Sequence, residues 1–226
     1  IPDSVTTIEE KAFYNCTKLE NVIIESGSAL KEIGENAFSN AASLETVTLG
    51  EGAKLEKMAF YNTSSLKNID LSKVEEIGDY AISGDVYYAC LDENMTVAAV
   101  NSEGFYYYTY HGPQIENADI SSAKTLGEYA FSYCRKLVDV KLSDDIEEIK
   151  QYTFAGCESL KNINLGKVET IGEYAFMECG LESLDASATE NIGKYAFVSN
   201  RLLNTLKLCK KTVEIGEGAF SYCDPL

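Results

Sequence analysis

Residues 171–176 read Ile-Gly-Glu-Tyr-Ala-Phe, and residues 126–131 read Leu-Gly-Glu-Tyr-Ala-Phe. The same frame recurs along the chain, starting at Ile8, Ile33, Leu55, Ile77, Leu126, Ile149, Ile171, Ile192 and Ile215. With that aliphatic residue as position one, position two is Gly in six of nine units, position five is Ala in eight, and position six is Phe in eight. The chain holds nine Phe, and only Phe105 falls outside position six, a distribution that chance placement does not produce. Three residues after the Phe stands a Cys or a small residue, then a Leu, then two apolar residues two apart, as in Phe131, Cys134, Leu137, Val140 and Leu142. Starts are spaced by 25, 22, 22, 49, 23, 22, 21 and 23 residues, a period of 22–23 with one outlier.

A Leu-x-x-Val-x-Leu pattern reads as a short strand with one face inward. The Gly-x-x-Ala-Phe piece predicts one turn of α- or 3₁₀-helix with Ala and Phe toward the core. A unit of this length cannot bury its own apolar face, so it must stack on copies of itself, its strands pairing in parallel. The expected architecture is an α/β repeat solenoid, a right-handed coil of about nine 22–23-residue units with a parallel β-sheet on one face, short helical turns and a spine of stacked Phe rings inside. Residues 1–226 form one such domain. Both ends read as cuts inside a longer protein, because neither carries a polar cap and Ile1-Pro2-Asp3-Ser4 has no leader-like basic or apolar run.

The unit resembles the BspA-like leucine-rich repeat family. The likeness is carried by the two hexapeptides above and by the opening run from Ile1 through Phe13, Cys16 and Leu19, and it spans roughly residues 1–82 and 113–226. The resemblance implies a surface protein, bacterial or protist, used in adhesion and protein binding, with no shared catalytic residue.

The outlier spacing marks an insertion. Residues 115–126 align without a gap on 66–77, so the fourth unit starts at Ile77 and finishes at Ile120 with about 27 extra residues between. Within 83–112, three runs rich in β-branched and aromatic residues (86–91, 95–100 and 105–110) alternate with turn-like separators, which predicts a β-meander. The segment holds Tyr87, Tyr88, Tyr106, Tyr107, Tyr108 and Tyr110, the single His (His111), and no Lys or Arg. Insertions in solenoids often carry binding function, and Tyr offers rigid amphipathic contact area, so these six Tyr are candidate ligand-binding residues. Packing of the meander onto the solenoid is the alternative use of the same rings.

Composition narrows the function. With 36 Asp plus Glu against 19 Lys plus Arg, the formal charge is −17, which argues against nucleic-acid phosphates and anionic lipid surfaces as partners. No apolar run is long enough to span a bilayer. Five of seven Cys share the position three after the Phe, where a ladder of parallel Cβ vectors is poor disulfide geometry. They read as buried thiols, spaced unlike any zinc motif. Acidic residues recur at position three (Glu10, Glu35, Asp79, Glu128, Glu173, Glu217), where the first turn of the expected helix favours them. Tyr80, Tyr129, Tyr152, Tyr174 and Tyr195 at position four should form a second packed aromatic column. With one His and no nucleophile–base pair, no enzyme activity, cofactor or metal site is expected.

Asp70, Asp119, Lys141, Asn164, Asp185 and Lys207 fall between the two strand apolars and should point out of the sheet, a polar face suited to contact with a protein or glycan. The functional expectation is a non-enzymatic binding or adhesion module, extracellular or at the cell surface. The alternative is a structural spacer presenting another domain.

Overall fold

The computed structural model describes residues 1–24, 29–88 and 108–226, with the backbone alone described at 85–88 and 108–111. Each turn of the chain contributes two short strands, which build two columns. The first column holds β1 (Thr7–Ile8), β3 (Glu32–Ile33), β5 (Lys54–Leu55), β7 (Glu76–Ile77) and β11 (Thr125–Leu126) in one parallel sheet. It resumes as β13 (Glu148–Ile149), β14 (Thr170–Ile171), β16 (Asn191–Ile192) and β18 (Glu214–Ile215). The second column holds β2 (Asn21–Val22), β4 (Thr46–Val47) and β6 (Asn68–Ile69), then β10 (Asn117–Ile120) with β12 (Asp139–Leu142), then β15 (Ser183–Ala186) with β17 (Thr205–Leu208). Pairing is in register at one repeat unit, as in Ile8↔Ile33↔Leu55↔Ile77 and Val22↔Val47↔Ile69. The first-column strands bound eight full turns of about 22 residues, and the chain after Ile215 supplies the turn but no second-column strand.

The second column is the strand that the Leu-x-x-Val-x-Leu pattern predicted. The first column was not predicted as strand, since two residues are too short to display alternation.

The expected helical turn is absent: no helix occurs among the described residues. The reason lies in how the backbone donors are shared. A helix directs successive N–H groups back along its own segment. Here alternate N–H groups point to the next coil instead. Lys11, Phe13 and Asn15 donate to the carbonyls of Glu35 (2.9 Å), Ala37 (2.7 Å) and Ser39 (2.9 Å), while Ala12, Tyr14 and Cys16 donate three residues back to Glu9, Lys11 and Phe13. The same alternation serves Tyr174, Phe176 and Glu178 against Lys194, Ala196 and Val198. Left-handed residues at positions four and eight turn the chain to allow it. Lys11, Asn36, Met58, Tyr80, Tyr129, Tyr152, Tyr174, Tyr195 and Gly218 occupy position four with φ of 52–61°. Asn15, Asn40, Asn62, Tyr133, Gly156, Glu178, Ser199 and Tyr222 occupy position eight with φ of 55–73°. The solenoid is therefore built of short strands and turns, without the α component.

The core is a continuous column of apolar side chains. Phe38, Phe60, Phe131, Phe154, Phe176 and Phe197 are 0% exposed. Their rings, with Phe13 and Phe220 at the two ends, stack at centroid separations of 4.9–5.5 Å with planes within 14°. Ile82 replaces the ring in the fourth unit and separates the spine into two stacks. Burying one such side chain contributes about 1.5–3 kcal/mol. The position-two glycines answer a different need. A Cβ on Gly172 would lie 2.7 Å from the backbone nitrogen of Gln151, so coils can approach this closely only without a side chain there.

Candidate functional site

The second column presents its outward residues on one polar face. Within each strand the burial pattern alternates, as in Asp139–Leu142 and Ser183–Ala186, because successive side chains leave opposite sides of the backbone. Asp70, Lys141, Asn164, Asp185 and Lys207 are exposed and Asp119 is half-buried, so these six lie in one row across the turns. In-register pairing places Asp119 beside Lys141 and Asp185 beside Lys207, and both pairs form ion pairs, at 3.0 and 2.8 Å.

Four of the six also turn the chain that follows them, two of them, Asp119 and Asp185, from inside a strand. Asp70 Oδ1 accepts from the Ser72 N–H (3.0 Å) and hydroxyl (2.6 Å), and Asp119 Oδ1 accepts from Ser121 in the same way (3.0 and 2.5 Å). Asp185 accepts from the Ser187 N–H and Asn164 from the Gly166 N–H, both at 3.0 Å. These are Asx turns, in which a short polar side chain caps the backbone two residues on. The hydrogen bonds hold the carboxyls of Asp70 and Asp119 below the usual carboxylate range, and the Lys207 ammonium with the Ser187 bonds brings Asp185 to about 2. The sequence reading placed this row outward but missed its turn-forming role, for which Asp-x-Ser and Asn-x-Gly were the legible signal.

The insertion leaves the solenoid after Gly84, whose N–H still reaches the Ser132 carbonyl at 2.8 Å, and returns at Gly112. Its two ends pair antiparallel as β8 (Asp85–Tyr88) and β9 (Tyr108–His111), in the register Asp85↔His111 and Tyr88↔Tyr108. Gly84 and Gly112 let the two ends pass side by side: a Cβ on Gly112 would sit 3.0 Å from Gly84 Cα and 2.7 Å from the Tyr133 carbonyl oxygen. Of the candidate tyrosines, Tyr87, Tyr88, Tyr108 and Tyr110 thus stand in the base of a hairpin. Tyr106, Tyr107 and the remainder of the expected meander, 89–107, lie outside the described residues.

The other sequence candidates resolve into packing. Cys134, Cys157, Cys179 and Cys223 are buried free thiols, each donating from Sγ to the position-six carbonyl of the preceding coil at 3.0–3.3 Å. Asn200 replaces the thiol in the eighth unit, where Nδ2 reaches the Phe176 carbonyl at 2.7 Å. Burial pushes these thiols up, so they are protonated structural donors. The tyrosines at position four stack as expected, at 4.4–5.2 Å from Tyr80 to Tyr195, and burial pushes the Tyr80 phenol up to about 12. The acids of position three lack the helix expected to favour them. Three of the six pair along the stack instead: Asp79 accepts from the Glu128 N–H (2.9 Å), Glu128 from Gln151 (2.6 Å), and Glu217 faces Lys194 (3.7 Å). Among the described residues no group of three or more His, Cys, Asp or Glu is arranged to hold a metal ion, and no helix is long and apolar enough to cross a membrane.

A stack of parallel-paired repeats with one polar strand face and one side insertion defines a leucine-rich-repeat solenoid. The chain matches the BspA type leucine rich repeat region in six copies, over residues 1–111 and 124–226, and belongs to that family. Among solved structures it is similar to a leucine-rich repeat protein from Bacteroides ovatus, with a TM-score of 0.58 and 20% identity over 98% of this chain and 69% of that one. It is also similar to the leucine rich repeat protein of T. pallidum, with a TM-score of 0.57 and 24% identity over 77% of this chain and 70% of that one. A leucine rich cell surface protein from Faecalibacterium prausnitzii aligns over 92% of this chain and 78% of its own, at 22% identity and a TM-score of 0.38. No curated protein sequence matches the chain.

Proposed function

We propose that this chain is a non-catalytic binding module at the cell surface, which recognises a partner protein or glycan through the polar strand face and the Tyr-rich insertion beside it. One observation carries the reading. The row Asp70, Asp119, Lys141, Asn164, Asp185 and Lys207 is set by Asx turns and cross-coil ion pairs, so a row of donors and acceptors is held in place before any partner arrives. Preorganisation of this kind lowers the ordering cost of association. Membership of the leucine-rich repeat family agrees with binding and with surface location, and the insertion's Tyr87, Tyr88, Tyr106, Tyr107, Tyr108 and Tyr110 would add aromatic contact area.

The test compares the intact chain with one in which 85–111 is replaced by a two-glycine link. Both are measured against immobilised extracellular-matrix proteins, mucins and defined glycans. Binding by the intact chain alone assigns the insertion. Equal binding by both, lost on reversing charge at Lys141 and Lys207, assigns the strand face. Failure of both chains on every surface overturns the reading in favour of a spacer.

A further inference from the structure

The second column is interrupted between the third and fourth turns, where the insertion re-enters. β6 pairs with β4 on one side and β10 with β12 on the other, but no ladder joins β6 to β10. The two edges are nevertheless pinned at both ends. The Gln114 N–H reaches the Leu66 carbonyl at 2.7 Å, and the Ser122 hydroxyl reaches the Ser72 carbonyl at 2.6 Å. Between these clamps the backbones bow apart and leave a cleft of about 550 Å³ on the polar face. That lies within the range of small-molecule sites, roughly 300–1,000 Å³.

The chemistry of the cleft is specific. Thr46, Thr48, Asn68, Gln114 and Asn117 supply hydroxyls and amides to its walls. Asn68 and Asn117 occupy the same repeat position on adjacent turns, both line the cleft, and make no side-chain hydrogen bond within the described residues. Each amide offers donors and an acceptor together. The floor is Ile69, which is half-buried, whereas its counterparts Val47, Ala118 and Val140 on the neighbouring strands are buried. Two of the three charged groups at the rim are already engaged: Lys67 pairs with Glu45 at 3.4 Å, and Asp70 is bonded to Ser72, while Glu116 keeps the third side of the rim acidic.

We propose that this cleft binds a neutral saccharide unit of a glycan, its hydroxyls held by the Asn68 and Asn117 amides and its apolar ring face on Ile69. Paired amides over an apolar floor match an uncharged polyhydroxylated ring, whose adjacent hydroxyls donate and accept side by side. An extended peptide does not fit: adding a strand needs two spacings of about 4.8 Å along the whole gap, and the Gln114 N–H at one end and the Ser122 hydroxyl at the other tie the two edges together. A sialylated or sulfated sugar is disfavoured by the acidic chain and by Asp70 and Glu116 at the rim. The inference rests on the binding-module reading above and names its ligand class.

The experiment uses the 226-residue chain on an array of defined neutral, sialylated and sulfated oligosaccharides, run beside the matrix-protein panel. Asn68→Ala and Asn117→Ala, both at exposed positions, should leave the melting temperature unchanged and each weaken neutral-glycan binding about tenfold, as expected for one lost ligand hydrogen bond. Neutral-glycan binding that both variants retain overturns the cleft, as does binding confined to acidic glycans. Binding to proteins with none to neutral glycans also overturns it while sparing the module reading. Failure on both panels overturns the module reading itself.

Discussion

Tyr152 tests the turn architecture, because the usual ranking of two substitutions should invert there. Its φ is 55°, and its ring stacks on Tyr129 at 4.6 Å and on Tyr174 at 4.8 Å. Replacing it with either Ala or Gly removes both ring contacts, at about 0.5–1.5 kcal/mol each, so each variant loses about 1–3 kcal/mol from this source. The variants differ in the backbone. In ordinary helix or strand conformations Gly is about 0.5–1 kcal/mol less stable than Ala because its unfolded chain is freer. With a left-handed φ the Cβ of Ala carries a penalty of about 1–2 kcal/mol that Gly escapes. The balance favours Gly, and Tyr152→Gly should be the more stable variant by up to about 1.5 kcal/mol. Urea unfolding followed by far-ultraviolet circular dichroism, with all three chains at one temperature, measures the difference. A Tyr152→Ala chain as stable as Tyr152→Gly, or more so, would refute the claim that positions four and eight are left-handed turns imposed by sharing of backbone donors. The natural occurrence of Gly218 at the same repeat position, with φ of 61°, agrees with the expected sign.

Two further outcomes follow from the core and the coil spacing. Burial raises the thiols of Cys134, Cys157 and Cys179, so above about pH 8.5 the unfolded chain loses three protons that the folded chain keeps. Stability is therefore full below that pH and falls as pH rises, by at most about 4 kcal/mol per pH unit. Urea midpoints between pH 8 and 10 measure the slope, most of which a chain with Cys134, Cys157 and Cys179 all changed to Ser should lose, Cys223 alone keeping a share, and equal slopes in the two chains would sink the linkage. Gly172→Ala places a methyl 2.7 Å from the Gln151 backbone nitrogen, and overpacking of this kind costs about 1–3 kcal/mol. A thermal midpoint unchanged from the parent would show that the coils can separate locally without cost.

The repeat was legible because chemical identity recurs at a fixed spacing: eight of nine Phe at one position leave little choice about what stacks on what. The outward row was legible from alternation around Val140 and Leu184. Helical turns were the wrong reading, and the error is physical. Gly-Glu-Tyr-Ala-Phe has the composition of a short helix, and nothing within one unit shows that half its N–H groups are required by the next coil. That demand arises only when units stack, and its local trace is the tolerance of Lys11, Asn36, Met58, Tyr80 and Gly218 at one position. The cysteine donors were hidden for the same reason, since the carbonyl that Cys157 satisfies belongs to Phe131, one coil away.

The insertion shows how the two columns divide their work. It leaves after position eight of the fourth unit, once Asp79 has bonded to Glu128, Tyr80 has stacked on Tyr129 and Gly84 N–H has reached the Ser132 carbonyl at 2.8 Å. β7 and β11 pair directly although 49 residues separate their starts, so the first column carries the stack past the interruption. The second column does not: β6 and β10 are left unpaired, and the cleft opens between them. An extra segment at this point therefore perturbs only the face that presents side chains to partners, while the Phe and Tyr columns hold the register. A turn-for-turn replacement of 85–111 should accordingly leave thermal stability close to that of the parent and let β6 pair with β10, which amide hydrogen exchange at Asn117 and Asp119 would report as new protection. Exchange at those amides as fast as in the parent would show that the break belongs to the solenoid itself and that the insertion merely occupies it.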